Sequence, residues 1–266
     1  MEEIIRKARE SDIPTLEKLW SECFPDDTEY AGFFFENIFK LSSARVCEIG
    51  GEVVAMIHVF PRTLKTPEGE MSAKYIYGVG TTKSFRGRGI AGRMLEDEAR
   101  ECDVLLLIPQ SESLFAFYEK YGFDVIAKVK KEEIAPDGKA EISKATKADI
   151  PYLNEVYERE LSESVFATRN EDTWRLLMSE YEFFGGGFLV FHGGYCAYYE
   201  HNGKPYIAEL FSDSTTPSEI AGAFGRECTV ITNGEETPLA VMRPVSESGK
   251  AVLMKYKERY INLMHN

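Results

Sequence analysis

The sequence has few of the features that mark secreted, membrane-spanning or zinc-binding proteins. Its five cysteines are odd in number and widely spaced, without a C-x-x-C pair, so reduced thiols are expected instead of a disulfide framework. Its longest notable apolar run, Val104–Ile108, is far shorter than the about 20 residues of a membrane span. The first residues are acidic and mixed, without the apolar stretch of a secretory signal. A cytoplasmic protein without a membrane partner is therefore expected.

Histidine is also scarce, and its four residues form neither an H-x₃-H nor an H-E-x-x-H pattern. His192 and His201 lie near each other in a glycine-rich stretch, but nothing supplies a third ligand at usable spacing. The sequence therefore predicts no metal site.

Basic residues are fewer than acidic ones, with 31 Lys and Arg against 44 Asp and Glu, which gives a net charge of −13. Acidic residues are in excess in both halves of the chain. A uniformly acidic surface repels phosphate backbones, so nucleic acid is not expected as a partner. It favours a cationic small molecule or peptide as substrate. The composition leaves a homo-oligomer open.

An internal repeat organises the chain. At an offset of 137 residues, seven of 20 positions in segments 5–24 and 142–161 are identical. In each copy a short strand leads to an Asp-Ile-Pro turn and an amphipathic helix. The pattern predicts two copies of one α/β fold, divided in the polar turn 135–138 into domains 1–136 and 137–266.

Each copy is predicted to follow the order strand, two helices, strands, helix, buried strand. In the first copy the second helix is expected over about 29–40. In the second copy a strand is expected over about 187–200. The chain is expected to end in an amphipathic helix over 249–263 with Val252, Leu253, Tyr256, Tyr260 and Met264 on one side.

The glycine-rich stretch 78–92 can be interpreted as any of three known glycine motifs. Segment 78–84 is P-loop-like, but Thr82 stands where that motif needs glycine before its lysine. Segment 87–92 matches G-x-G-x-x-G, yet it does not directly follow a first strand, as a dinucleotide fold requires. Segment 86–91, RGRGIA, satisfies R/Q-x-x-G-x-G/A between a strand and a helix. Its glycines let the main chain approach a pyrophosphate, which free amides at the helix start bind without a metal.

This last motif is similar to the acetyl-CoA signature of the GCN5-related N-acetyltransferase (GNAT) superfamily. The element order of the first copy and the segment Phe117–Phe123 match that superfamily as well. The resemblance implies a mixed, mostly antiparallel central sheet flanked by helices in each domain. It also implies acetyl-CoA as co-substrate and Tyr118 as the residue beside its sulfur, able to donate a proton to the leaving thiolate. The cofactor-binding residues that it implies are Val79, Gly80, Thr81, Arg86, Gly87, Arg88, Gly89, Ile90 and Ala91.

The tandem arrangement resembles the two N-terminal domains of the enhanced-intracellular-survival acetyltransferases. The second copy departs from the signature, since segment 214–219 has no Gly-x-Gly. Glu219 would oppose a pyrophosphate there, and Pro217 removes an amide donor. The second copy is expected to be a degenerate domain that shapes the acceptor pocket.

The resemblance implies an acetyl-CoA-dependent N-acetyltransferase that acts on a primary amine of a small molecule or peptide by direct transfer. An acyl-CoA-binding regulatory module without turnover stays open as the alternative. Asp26, Asp27 and Glu29 are candidates, by resemblance, for a carboxylate near the acceptor, and the general base is unassigned. Ala73 stands where the histone-acetylating branch has its glutamate, which disfavours that activity.

Overall fold

The computed structural model describes residues 2–25 and 28–263. It is a mixed α/β structure that divides into two compact units. Unit 1 comprises Met1–Leu64, Glu70–Asp124 and Val241–Lys255, and unit 2 comprises Lys65–Gly69, Val125–Ala240 and Tyr256–Asn266. No helix within the described ranges is long and apolar enough to cross a membrane.

In chain order, the first elements are β1 (Glu3–Lys7), α1 (Ile13–Cys23), α2 (Thr28–Phe33), β2 (Ala44–Ile49), β3 (Glu52–Thr66), β4 (Gly69–Thr81), α3 (Ile90–Glu98), β5 (Val104–Leu107) and α4 (Glu112–Glu119). The chain continues through β6 (Asp124–Ile134), β7 (Ser143–Lys144), α5 (Ile150–Glu160), β8 (Val165–Ala167), α6 (Glu171–Phe183), β9 (Gly187–Phe191), β10 (Gly194–His201), β11 (Lys204–Ser212), α7 (Pro217–Phe224), β12 (Cys228–Asn233), β13 (Thr237–Pro244), α8 (Glu247–Lys255) and β14 (Arg259–Tyr260).

The two units have the same sheet order. In unit 1 the strands run β1-β2-β3-β4-β5 and end on the part of β13 that belongs to this unit. In unit 2 they run β7-β9-β10-β11-β12 and end on β6. Along these strand orders, β4 with β5 and β11 with β12 are parallel pairs, whereas β5 with β13 and β6 with β12 are antiparallel pairs. This confirms the predicted fold class, an α/β fold with a mixed, mostly antiparallel sheet flanked by helices.

The last strand of each sheet comes from the other half of the sequence. Strand β6 pairs antiparallel with β12, from Cys228↔Ile134 to Asn233↔Val129. Strand β13 pairs antiparallel with β5, from Val241↔Leu107 to Pro244↔Val104. The compact units are therefore interleaved along the chain, whereas the predicted halves 1–136 and 137–266 are contiguous. The exchange satisfies the backbone edges of β5 and β12, which would otherwise be open.

The repeated Asp-Ile-Pro turn shares one backbone-to-aspartate hydrogen bond between the two copies. Asp12 Oδ2 accepts from the backbone amide of Arg9 at 2.7 Å, and Asp149 Oδ2 accepts from that of Thr146 at 2.7 Å. Each aspartate thus closes a 3₁₀ turn before its helix and does not cap the helix amides themselves. Proline then occupies the first turn of α1 and α5, as predicted.

Three sequence-based element bounds are wrong. The helix expected over 29–40 is α2 followed by a π-helical turn, in which Phe39 N donates to Phe34 O at 2.8 Å. The strand expected over 187–200 is a hairpin, because Gly193 adopts a left-handed φ of +75° between β9 and β10.

The predicted terminal helix 249–263 is also wrong in extent. Helix α8 ends at Lys255, and Arg259–Tyr260 instead forms a parallel pair with Val165–Phe166. Tyr260 packs its ring against Phe211, with the ring centroids 5.2 Å apart. Backbone pairing and this aromatic contact take precedence over the helical spacing. Met264, assigned to the same predicted face, lies outside the described residues.

Candidate functional site

The glycine-rich loop between β4 and α3 is exposed and adopts an unusual backbone. Gly87 and Gly89 have φ values of +76° and +72°, which glycine tolerates better than other residues. Helix α3 begins at Ile90, and no side chain caps its N-terminus. The first amides of a helix have no partner within the helix, so this end presents donors to an anion.

Two arginines of the loop hold its shape. Arg86 Nε donates to the carbonyl oxygen of Thr81 at 2.9 Å, which ties the loop to the end of β4. A terminal nitrogen of Arg88 donates to the Ser84 carbonyl at 3.1 Å, and its guanidinium lies 4.5 Å from the Phe85 ring centroid. A terminal nitrogen of Arg86 also contacts Cys23 Sγ at 3.8 Å. Both arginine side chains are exposed, so their remaining N–H groups are available to phosphate oxygens.

Arg93 is engaged elsewhere. Its Nε and a terminal nitrogen contact both carboxylate oxygens of Glu3 at 2.6 and 2.8 Å. Its other terminal nitrogen donates to the carbonyl of Arg88 at 2.8 Å. The ion pair raises the pKa of Arg93 and lowers that of Glu3. Arg93 therefore helps to hold the loop in place through its contacts with Glu3 and the Arg88 carbonyl.

Glu22 lies on α1 and contacts the segment before the glycine loop, and the sequence reasoning missed it. Its Oε1 accepts from the backbone amide of Lys83 at 2.7 Å and from Thr82 Oγ1 at 3.1 Å. The Lys83 amide is the main reason that the pKa of Glu22 lies below its ordinary value. Glu22 and its partners are about 60 positions apart, so no local motif could have revealed the contact.

Strand β4 parts from β5 just before the predicted cofactor residues. The registered parallel pairs are Ala73↔Val104, Lys74↔Leu105 and Tyr75↔Leu106. Residues 76–81 of β4, which include Val79, Gly80 and Thr81, continue beyond that ladder. In residues 76–81, the backbone N–H and C=O groups on the edge of β4 that faces β5 are therefore available to another partner.

Gly78 bends β4 where this separation begins. Its φ is +56°, and a Cβ atom there would lie 2.9 Å from the side chains of both Trp20 and His58. His58 is fully buried, and neither ring nitrogen has a hydrogen-bond partner among the described residues. Burial lowers its pKa to about 3, so the ring is neutral.

Tyr118 lies in α4 and is only 6% exposed. Its ring meets that of Phe123 edge to face, with the centroids 5.6 Å apart. Ile90 belongs to the same apolar cluster, and Val79 packs against it. The structure thus brings the loop-helix junction, the free end of β4 and Tyr118 together in unit 1. Burial raises the pKa of Tyr118 above its ordinary value, which keeps the phenol protonated.

The acidic residues predicted near the acceptor are only partly described. Asp26 and Asp27 lie outside the described residues. Glu29 is exposed in the first turn of α2. Within the parts of the chain that the structure describes, no group of three His, Cys, Asp or Glu residues could hold a metal ion.

At the corresponding helix start in unit 2, two side chains form hydrogen bonds with the backbone and cap the helix. Thr216 and Glu219 form a capping box at α7, in which Glu219 Oε2 accepts from Thr216 N at 2.8 Å. In return, Glu219 N donates to Thr216 Oγ1 at 3.3 Å. At α7, Pro217 therefore contributes no amide donor, and the amides of Thr216 and Glu219 are engaged by the capping box.

A buried ion pair replaces the glycine bend in unit 2. Counted from the repeated Tyr-Ile pairs 75–76 and 206–207, Glu209 stands where the first copy has Gly78. Glu209 is 2% exposed, and both its oxygens accept from Arg169 at 2.8 Å. Tyr195 and Tyr260 also donate to this carboxylate, at 2.5 and 2.8 Å. The hydrogen bonds and the opposite charge hold the pKa of Glu209 below its ordinary value.

Comparison with solved structures finds the same fold over most of the chain. A probable N-acyltransferase from Enterococcus faecalis aligns with a TM-score of 0.74 and 16% identity, over 92% of this chain and 73% of its own. A GCN5-related N-acetyltransferase from Kribbella flavida aligns with a TM-score of 0.72 and 12% identity, over 93% and 73%. Eis1 from Mycobacterium abscessus aligns with a TM-score of 0.64 and 15% identity, over 91% and 74%.

The comparison of sequences finds a match over a shorter part of the chain. No curated protein matches the chain. Residues 4–126 match the family model of the acetyltransferase (GNAT) domain, a range that contains the exposed glycine loop, the free end of β4 and Tyr118. The predicted resemblance is confirmed for residues 4–126, which form an acetyltransferase (GNAT) domain, and this domain identifies the protein as an acyltransferase.

Proposed function

We propose that the protein transfers the acetyl group of acetyl-CoA directly to a primary amine of a small molecule or peptide. The observation that carries this proposal is the uncapped N-terminus of α3 behind two left-handed glycines, Gly87 and Gly89. Such an end binds a pyrophosphate through backbone amides and needs no metal. The family match over residues 4–126 supports acetyl-CoA as the co-substrate.

The residues present fit the parts of coenzyme A. We assign its pyrophosphate to the amides of segment 87–91, with Arg86 and Arg88 supplying charge. We assign its pantetheine amides to the main chain of Val79, Gly80 and Thr81, because that edge of β4 continues past its ladder with β5. When bound, acetyl-CoA supplies a thioester that an amine can attack.

The chain's own groups then stabilise charge and move a proton. We assign the main chain near Val79 to stabilising the negative charge that develops on the acetyl oxygen. Tyr118, kept protonated by burial, is assigned as proton donor to the departing sulfur. A lysine-like amine must first lose a proton, which at neutral pH costs about 3.4 pKa units or roughly 5 kcal/mol. The group that takes this proton is unassigned.

The acetyl-CoA site is proposed for the first half of the sequence alone. At α7 the capping box engages the amides of Thr216 and Glu219, Pro217 has no amide donor, and the Glu219 carboxylate would repel a second pyrophosphate. The role of residues 137–266 in shaping the acceptor pocket stays a prediction. The five free cysteines fit a reducing compartment, and we propose the cytoplasm.

The acceptor is proposed to be cationic. The net charge of −13 favours approach of a positively charged amine, and salt screens such attraction over about 10 Å at 0.1 M. We therefore expect the KM of a cationic acceptor to rise with ionic strength. A salt-independent preference for neutral or anionic acceptors would contradict the cationic class.

The proposed function is tested by two measurements on the same protein. Calorimetry in the presence of a chelator should show one acetyl-CoA bound per chain. A colorimetric assay of free thiol should then show turnover with at least one member of a panel of primary amines. Binding without thiol release across the panel would favour the regulatory module, and two equal binding sites would contradict the assignment of one site.

A further inference from the structure

Unit 2 contains a cavity of about 440 Å³ that the proposed acetyl transfer does not use. It lies where β11 and β12 separate, because their parallel ladder consists of Tyr206↔Thr229 and Ile207↔Val230. Ala208 and Ile231, the next residues of the two strands, both line the cavity. The volume is within the range of about 300–1,000 Å³ that is usual for small-molecule sites.

The walls of this cavity are largely aliphatic and aromatic. Ile231, Leu239 and Phe211 line it, and each of them is only half-buried. Half-buried apolar side chains around a cavity gain free energy when an apolar ligand removes them from water. The walls therefore favour a hydrocarbon ligand.

A lysine side chain also lines the cavity. Of the lining residues that the structure describes, Lys131 is the only charged one, and its ammonium lies 5.5 Å from the Tyr206 ring centroid. Lys130, which points to the other face of β6, is paired with Glu132 at 2.7 Å. Lys131 has no such carboxylate within ion-pair distance in the described parts of the chain, so its charge is available to an anion.

The anion is not the pyrophosphate of a second coenzyme A. At α7, Pro217 has no amide donor, the Glu219 amide is bonded to Thr216 Oγ1, and the Glu219 carboxylate adds a negative charge. A single small anionic group on an apolar body matches one lysine and hydrocarbon walls. We propose that this cavity binds an aliphatic monocarboxylate, with the carboxylate at Lys131 and the chain against Ile231, Leu239 and Phe211.

The first test is a chain-length series on the full-length protein. Straight-chain carboxylates from hexanoate to dodecanoate, kept below their micelle concentrations, are titrated by calorimetry. We expect one saturable site whose affinity rises roughly fourfold for each added CH₂, until the cavity is filled. Straight-chain alcohols of equal length, which carry no charge and are not acceptor amines, should bind at least fivefold more weakly. No saturable site at any length, or equal affinity for alcohol and carboxylate, would overturn the proposal.

Variants then locate the site. Ala208→Phe should fill the cavity and abolish binding of the best carboxylate, with the melting temperature recorded as a check of folding. Lys131→Ala, a change of an exposed residue that should not affect folding, is expected to weaken binding about fivefold. Lys130→Ala is the matched control and should bind like the wild type. Unchanged affinity in Lys131→Ala, or equal losses in both lysine variants, would overturn the assignment.

A third variant separates this site from the acetyl-CoA loop. Gly89→Asp is expected to lose acetyl-CoA binding and to keep carboxylate binding at wild-type affinity. Loss of carboxylate binding in Gly89→Asp would show that the carboxylate occupies the coenzyme A site, and the proposal would fall. The carboxylate measurement needs no turnover, so it stands or falls independently of the proposed function.

Discussion

Glu22 Oε1 accepts a hydrogen bond from the backbone amide of Lys83 at 2.7 Å. The same oxygen accepts from Thr82 Oγ1 at 3.1 Å, so one carboxylate of α1 holds the segment that joins β4 to the glycine loop. On the other side of this segment, Arg86 Nε donates to the Thr81 carbonyl. The loop is thus shaped before a ligand arrives, which reduces the conformational cost of binding.

Replacement of Glu22 by alanine should loosen this segment. We expect Glu22→Ala to weaken acetyl-CoA binding roughly tenfold, the scale of losing a hydrogen bond to a charged group. Glu17→Ala, an exposed change on the same helix, is the control and should bind normally. Calorimetry on both variants makes the comparison, and equal affinities would show that Glu22 does not support the site.

The pH dependence of this support follows from the pKa of Glu22. That pKa lies below its ordinary value of 4.5, so the carboxylate is ionised throughout the neutral range. Its contribution is fully present above the ordinary value and is lost as the pH falls through the lowered one. The difference in affinity between wild type and Glu22→Ala should therefore be constant from about pH 6 to 8.

Gly89→Asp should abolish acetyl-CoA binding. The substitution places a side chain and a negative charge at the left-handed residue that precedes the open amides of α3. Gly51→Asp is a matched control, because Gly51 also has a positive φ of +87° with no atom near its Cβ position. Calorimetry should find wild-type affinity in the control. Wild-type affinity in Gly89→Asp would remove the loop from the proposed site.

Tyr118→Phe should lower kcat about 10²-fold, the low end for a lost general acid. The ring and its contact with Phe123 are kept, so the melting temperature and acetyl-CoA affinity should change little. Tyr121→Phe removes the hydroxyl of the neighbouring tyrosine in the same signature and serves as the control. Turnover and melting temperature are measured side by side. Full turnover in Tyr118→Phe would leave water as the proton source.

The buried pair of Arg169 and Glu209 should be visible in stability. Arg169→Met leaves a buried carboxylate without its cation and should cost about 3–5 kcal/mol of unfolding free energy at neutral pH. The double variant Arg169→Met/Glu209→Gln removes the charge as well and should be less destabilised than Arg169→Met. Denaturant unfolding measures both.

The pH dependence of Arg169→Met gives an independent check. In the wild type Arg169 keeps the pKa of Glu209 low, so the carboxylate's contribution is present above 4.5 and lost at lower pH. Without the cation, burial raises that pKa, and protonation should relieve the unpaired charge. The stability deficit of Arg169→Met should then shrink as the solution is acidified from about pH 8 to 5. A deficit independent of pH would contradict the role of the pair.

Local patterns in the sequence determined the features that depend on local chemistry. The repeat predicted the Asp-Ile-Pro turns of α1 and α5, which the structure contains at both places. The continuously apolar stretch Val104–Pro109 predicted a strand buried on both faces, and all four residues of β5 (Val104–Leu107) are buried. The RGRG segment predicted a glycine loop before a helix, because left-handed backbone and helix starts are short-range properties.

Tertiary structure alone decided the features that depend on distant partners. The sequence did not show which strand is the last in each sheet. Strands β6 and β13 have ordinary strand patterns, and their pairing depends on the open edges of β12 and β5. The bracing of the loop by Glu22 joins residues about 60 positions apart. The end of α8 at Lys255 was decided in the same way, since pairing of β14 with β8 outweighs the helical spacing of Tyr256 and Tyr260. Such contacts follow from where the chain returns in space, and no local sequence pattern contains that information.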